Sequence, residues 1–196
     1  MTVLTRVATL IAALTLGFAL CVAHAAPALK AGVFEPPRQA PEFTLHGSDG
    51  SDVSLARYRG KLVLMSFGFT HCAAVCPTTL ATLAQVREKL GPQAGAVQVV
   101  FVTVDPERDS PARLKAYLAA FDSSFVGAAA KPEVLAAMRK NYGVVANKVA
   151  MSAGDYAVDH TSSIFLIDRE GKLRAMMPYG RDAGDFVHDI KLLLAQ

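Results

Sequence analysis

The chain has 196 residues, 52% of them hydrophobic, which is ample for the core of one domain and requires no second. Its formal net charge is +3, from 20 basic and 17 acidic side chains, and so near a balance gives no reason to expect a nucleic-acid partner.

The first 25 residues hold one basic residue, Arg6, and no acid. The apolar run Val7 to Val22 is followed by Ala23-His24-Ala25-Ala26, the grammar of a secretory signal peptide with cleavage expected after Ala25. Val7 to Leu29 is also about long enough to cross a bilayer, so the alternative is an uncleaved N-terminal membrane anchor. A lipoprotein reading through Cys21 is weaker, because the bulky Leu20 precedes it. Each reading exports the remainder, to the periplasm or the outer face of the inner membrane. Cleavage would remove one arginine, leaving 19 basic against 17 acidic side chains, or +2.

Residues 26 to 40 are rich in Ala and Pro, include Pro36-Pro37, and read as an extended, mobile tether to a domain over 41 to 196. Glu42 to Leu45 and Val53 to Leu55 flank the turn-rich His46-Gly47-Ser48-Asp49-Gly50-Ser51, which predicts an N-terminal β-hairpin. Leu62 to Phe67 is a nearly continuous apolar run, a short buried strand left at Gly68. A helix follows, with Pro77 in its first turn and Leu80, Leu83, Val86 and Leu90 on one face, until Gly91-Pro92 ends it. Val97 to Val104 is a second buried strand. Beyond the loop Asp105 to Asp109, Ser110 caps and Pro111 opens a helix with Leu114, Tyr117, Leu118 and Phe121 at helical spacing.

Two strands alternating with two helices argue for a βαβ unit and a parallel core sheet. The loops after those strands share one edge, where open α/β sheets keep their sites. Ser124 to Val126 reads as a short strand, Pro132 to Tyr142 as a helix stopped by Gly143, and Val144 to Met151 with Tyr156 to Val158 as a hairpin-like excursion. Ser162 to Ile167 and Lys172 to Met177 read as an antiparallel pair, and Asp182 to Leu194 as a closing amphipathic helix.

Of three cysteines, Cys21 falls in the targeting segment, which leaves Cys72 and Cys76 at the strand-to-helix turn. If the helix begins near Cys72, the i, i+4 spacing puts both sulfurs on one face, and the helix N-terminus favours thiolate. Such a pair can close a disulfide or hold one soft metal ion. A structural bridge across so short a loop stabilises little, because the gain grows with loop length, so the pair is read as chemical.

The motifs Gly68-Phe69-Thr70-His71-Cys72-Ala73-Ala74-Val75-Cys76-Pro77, Val104-Asp105-Pro106-Glu107-Arg108-Asp109-Ser110-Pro111 and Tyr156-Ala157-Val158-Asp159-His160-Thr161, with Leu166-Ile167-Asp168 and Tyr179-Gly180 beyond, resemble the SCO/SenC family from about Pro41 to the C-terminus. The resemblance implies a thioredoxin-like α/β fold, with a central mixed sheet flanked by helices, and a copper ion held by Cys72, Cys76 and His160. It implies a chaperone that delivers copper to, or reduces the cysteines of, the dinuclear copper site of cytochrome c oxidase subunit II. Another exported copper protein is an alternative recipient; a thiol reductant is a further expected partner, and a monomer is expected. The alternative function is a thiol-disulfide oxidoreductase cycling Cys72 and Cys76 as a redox-active pair; a peroxidase is weaker, since nothing marks a peroxide pocket. One departure stands out: Ala73-Ala74 replaces the family's usual Pro-Asp, and the missing acid removes any charge tuning or partner contact it supplies in relatives.

Two thiolates and a neutral imidazole suit copper(I), which is soft and tolerates low coordination, whereas zinc would want a fourth ligand. A lone histidine is usually a surface or hydrogen-bonded residue, so His160 rests on the resemblance. Thr161 follows it where thioredoxins place a cis-proline beside their cysteines, so His160 is expected to face the sulfurs. Asp159 is a candidate to orient His160, although adjacent strand residues point to opposite faces. Asp105 and Asp109 read as turn and cap residues with a lesser docking role. His71 is read as an exposed flank of Cys72, Met176-Met177 as packing residues, and His46 and His188 as solvated.

Overall fold

The computed structural model describes residues 28–151 and 154–196. The expected signal or anchor over 1 to 25 lies outside them, and among the described residues no helix is long and apolar enough to cross a membrane.

Among the described residues ten strands and four α-helices follow in order: β1 (Gly32–Gln39), β2 (Thr44–Gly47), β3 (Asp52–Ser54), β4 (Leu62–Gly68), α1 (Val75–Leu90), β5 (Val97–Thr103), α2 (Pro111–Ala119), β6 (Val126–Ala129), α3 (Pro132–Tyr142), β7 (Ala146–Ala150), β8 (Tyr156–His160), β9 (Ile164–Ile167), β10 (Lys172–Met177) and α4 (Ala183–Leu194). Eight strands form one mixed sheet in the order β1-β10-β9-β4-β5-β6-β2-β3, and β7 and β8 pair only with each other. β4 and β5 run parallel through the centre, with Leu62 opposite Val97 and Gly68 opposite Thr103. Every residue of β4 is buried, which is what a strand covered on both faces requires and why its sequence does not alternate. The antiparallel neighbours β9 and β10 follow the predicted turn, whose Asp168 carboxylate accepts from the Glu170 and Lys172 amides.

Ser110 caps α2 through its hydroxyl, which accepts from Arg113 N–H, and Gly143 ends α3 in the left-handed region. The hairpin β2–β3 forms as expected but extends through His46, which is an exposed strand residue rather than a loop one. β6 starts only at Val126, because the Asp122 carboxylate captures both the amide and the hydroxyl of Ser124 and keeps it in a turn. α1 starts at Val75, so Cys72 precedes the helix and Cys76 lies in its first turn with Pro77.

The segment expected as a tether differs most. From Gly32 onward it is the edge strand β1, paired antiparallel with β10, Gly32 against Met176 and Gln39 against Lys172. The register shifts between Val33 and Arg38, around Pro36-Pro37, which suits an edge where a missing donor can face solvent. Ala31 and Ala40 at its two ends are buried. The N–H groups of Lys30 and Ala31 donate to the carboxylate of Asp189, a fully buried residue of α4, at 2.8 and 2.9 Å. His188, expected to be solvated, is half-buried, with Nδ1 2.9 Å from the same carboxylate.

Candidate metal and thiol site

The C-terminal ends of β4 and β5 bring the two predicted loops to one edge. Gly68 ends β4 where a side chain has no room: a Cβ there would lie 2.6 Å from two ring carbons of Phe101 and 2.9 Å from the sulfur of Cys76. Beyond it, Thr70 is held by Asp109, whose buried carboxylate accepts from Thr70 N–H at 3.1 Å, from Thr70 Oγ1 at 2.6 Å and from Thr103 Oγ1 at 2.7 Å. One carboxylate thus ties the cysteine loop to the end of β5. Asp105 and Asp109 are 0% and 1% exposed, which corrects the expectation that they present acids to a partner.

Ala73 and Ala74 are exposed, and the α1 N-cap, Ala74, supplies no side-chain acceptor. The sulfur of Cys72 takes that place, accepting Cys76 N–H at 3.4 Å. Burial would raise the Cys72 thiol, but donors from the Cys76, Ala74 and Val75 backbone and from the Cys76 side chain outweigh it, and the net shift is downward. Cys76 is 3% exposed; burial drives its thiol far above the ordinary range, and the charges of Cys72 and Asp109 add to the rise. The pair is therefore asymmetric, with an accessible, thiolate-prone Cys72 backed by a buried, protonated Cys76. Both are free thiols.

His160, at the end of β8, reaches the same place. Its Nε2 lies 3.7 Å from Cys76 Sγ, and its ring meets Phe69 edge to face at 5.9 Å between centroids. Nδ1 is 2.9 Å from the Thr161 carbonyl oxygen, which can only accept, so Nδ1 is the donor there and Nε2 is the ring nitrogen that faces the Cys76 sulfur. The orienting group is this carbonyl and not Asp159, which is exposed on the opposite face of β8. A cavity of about 450 Å³ opens in front, lined among others by Phe69, Cys72, Val75, Met151, Tyr156 and His160.

Cys72, Cys76 and His160 thus converge, and their donors, two sulfurs and one imidazole nitrogen, suit a soft ion. Among the described residues no three His, Cys, Asp or Glu side chains are already gathered at metal-holding distances. His71 flanks the site, exposed, with Nε2 3.3 Å from Arg113 Nη2. Met176 and Met177 belong to β10 and pack in the core, away from the sulfurs.

Sequence reading missed Arg108, Phe69 and Tyr156. Arg108 stacks 3.7 Å above the Tyr156 ring centre, and the Tyr156 hydroxyl donates to Asp105 at 2.7 Å. Only the aromatic character of Phe69 and Tyr156, each inside a recognised motif, offered a signal for them.

A cysteine pair at the strand-to-helix turn of a mixed sheet, with a histidine brought against it from a hairpin, defines a thioredoxin-like domain suited to thiol or soft-metal chemistry. The chain belongs to the SCO1/SenC family, whose model matches residues 34–195. The mitochondrial SCO2 homolog of Mus musculus is 37% identical over 162 residues, covering 79% of this chain and 62% of the mouse protein, so the chain spans less than two thirds of that relative. ScoI of Bradyrhizobium japonicum, solved with copper bound, is 37% identical with a TM-score of 0.74 over 80% of this chain and 99% of its own. BsSco, a member of the Sco family of cytochrome c oxidase assembly proteins in which a disulfide switch was identified, is 25% identical with a TM-score of 0.66 over 81% of this chain and 95% of its own.

Proposed function

We propose that this chain is an exported copper chaperone that holds the metal through Cys72, Cys76 and His160. Its cargo goes to cytochrome c oxidase subunit II, where it loads the dinuclear copper site or prepares that site's cysteines. The observation that carries this reading is the position of His160 Nε2, 3.7 Å from Cys76 Sγ, with the other ring nitrogen held on a carbonyl. Disulfide exchange needs two sulfurs and an approach, whereas a trigonal copper(I) set also needs the imidazole nitrogen. The copper-bound relative ScoI and the oxidase-assembly description of BsSco support the same reading. Export rests on the N-terminal pattern of residues 1 to 25, by cleavage or as an anchor.

Copper(I) binding consumes both thiolates and releases their protons, so loading competes with oxidation of the pair. The reduced protein should take up close to one copper per chain and the disulfide form none. Replacing Cys72 or Cys76 by Ser exchanges a soft ligand for a poor one, and each change should nearly abolish binding.

A second reading, thiol-disulfide oxidoreductase, draws on the asymmetry of the pair and the disulfide switch of BsSco. In it, Cys72 thiolate attacks a partner disulfide, Cys76 resolves the mixed disulfide, and the two electrons leave as two partner thiols. His160→Ala separates the two. It should weaken copper(I) by more than about 100-fold, since even loss of a group that only orients a ligand costs about 10- to 100-fold, while Cys72 and Cys76 still form and exchange a disulfide. Full copper affinity in His160→Ala would replace the chaperone reading with the oxidoreductase one.

A further inference from the structure

The hairpin that carries His160 lies outside the main sheet, since among the described residues β7 and β8 pair only with each other. No ladder to β4 or β9 sets where β8 ends, so side-chain contacts must. Val158 packs into the core, and the polar contacts concentrate on one side chain. Arg108, in the loop after β5, donates through Nη1 to the Tyr156 carbonyl oxygen at 3.0 Å and to Asp155 Oδ1 at 2.9 Å, while Nε is held by buried Asp105. The guanidinium also stacks on the Tyr156 ring, whose hydroxyl returns to Asp105, and Lys148 of β7 pairs with Glu107 at 2.7 Å. Tyr156, Val158 and His160 share one face of β8, because side chains alternate along a strand. That face is fixed at its start by Arg108 and at its end by Phe69 and Cys76.

We propose that Asp105, Arg108 and Tyr156 form a latch that holds β8 against the cysteine loop and so sets the distance from His160 to the sulfurs. Arg108 is then a positioning residue for the metal. The proposal rests on the ligand role given to His160 above. A planar fork that reaches two elements at once is a task for arginine and not lysine.

The test uses copper(I) competition titrations on four full-length proteins: wild type, Arg108→Ala, His160→Ala and the double variant. Arg108→Ala should weaken copper by about 10- to 100-fold, as expected for loss of a group that orients a ligand, and should cost nothing further once the imidazole has been removed. Arg108→Lys should not rescue. Tyr156→Phe keeps the stacked ring and loses only the bond to Asp105, so it folds with least disturbance and should show a smaller loss in the same direction, again only when His160 is present. Cys72 alkylation should proceed at its normal rate in Tyr156→Phe, which damage to the whole fold would not allow. Equal losses with and without the His160 imidazole would overturn the latch, as would unchanged affinity in both Arg108→Ala and Tyr156→Phe while His160→Ala binds poorly. Nuclear Overhauser contacts between the His160 and Phe69 rings in the metal-free protein decide the matter separately. If His160→Ala keeps full affinity, the ligand reading fails, yet loss of those contacts in Arg108→Ala would still establish the latch and their persistence would refute it.

Discussion

The strongest departure from the sequence reading is open to a sharp thermodynamic test at Asp189. Its carboxylate is fully buried and accepts the N–H groups of Lys30 and Ala31, one on each oxygen, with His188 Nδ1 beside it. Asp189→Asn keeps the shape but offers only one acceptor oxygen, so one amide loses its partner and the other exchanges a charged acceptor for a neutral one. Hydrogen bonds to charged groups contribute about 1.5–3 kcal/mol each, and neutral ones about 0.5–1.5. Losing one and weakening the other should cost about 2–4 kcal/mol, a large fraction of an ordinary domain's stability of about 5–15 kcal/mol. The same substitution in a chain starting at Pro41 should behave differently. There both amide donors are gone, so the substitution has neither hydrogen bond to remove and should cost little. Urea unfolding of the four proteins closes the cycle, with the slope checked for constancy. A change within about 0.5 kcal/mol in the longer chain, or an equal loss at both lengths, would show that residues 28 to 40 are the free tether their composition suggests.

Three further outcomes follow from the site. Iodoacetamide should modify Cys72 and spare Cys76, at a rate rising with pH through a midpoint below that of a free thiol, because the thiolate reacts; equal reactivity of the two would contradict the asymmetry. The linked stability runs in opposite directions: the Cys72 contribution is present above its unfolded pKa and lost as pH falls through the lowered folded value, while that of Cys76 is present below its unfolded pKa and lost as pH rises toward its raised one. Gly68→Ala drives a methyl into Phe101 and Cys76 and should cost about 1–3 kcal/mol by thermal unfolding while weakening copper; wild-type values for both would mean the ring and sulfur move aside freely. Asp109→Ala leaves three donors unpaired at the base of the cysteine loop, and about 1–3 kcal/mol for each buried group implies a loss of at least about 2 kcal/mol; a stability matching wild type would show that water replaces the carboxylate.

What the sequence disclosed was what local pattern controls. The run Leu62 to Phe67 and the Ser110-Pro111 helix start each follow from adjacent residues and stand where expected within a residue or two, whereas the helix expected near Cys72 begins only at Val75 and leaves that cysteine outside it. β1 escaped because its stabilising partners are remote: Asp189 lies 158 positions beyond Ala31, and two adjacent prolines argue locally against a strand. The His160 environment was half legible. Strand alternation correctly turned Asp159 away, but Arg108 gave no local sign of its role, since its partner carbonyl on Tyr156 is 48 positions further along and in another element.

The arrangement also restricts how the site can be approached. Cys76 lies behind Cys72, at 3% exposure, while Cys72 and His160 line the open cavity, so a recipient meets Cys72 first whichever chemistry it brings. A partner disulfide would be attacked at Cys72, leaving Cys76 placed to resolve the bond. A copper recipient with its own thiolates would displace the exposed ligand before the buried one, because exchange of a soft ion proceeds through ligands that an incoming sulfur can reach. Both routes begin at the same sulfur and need it reduced. The oxidation state of one pair would therefore decide whether both sulfurs are available for a metal.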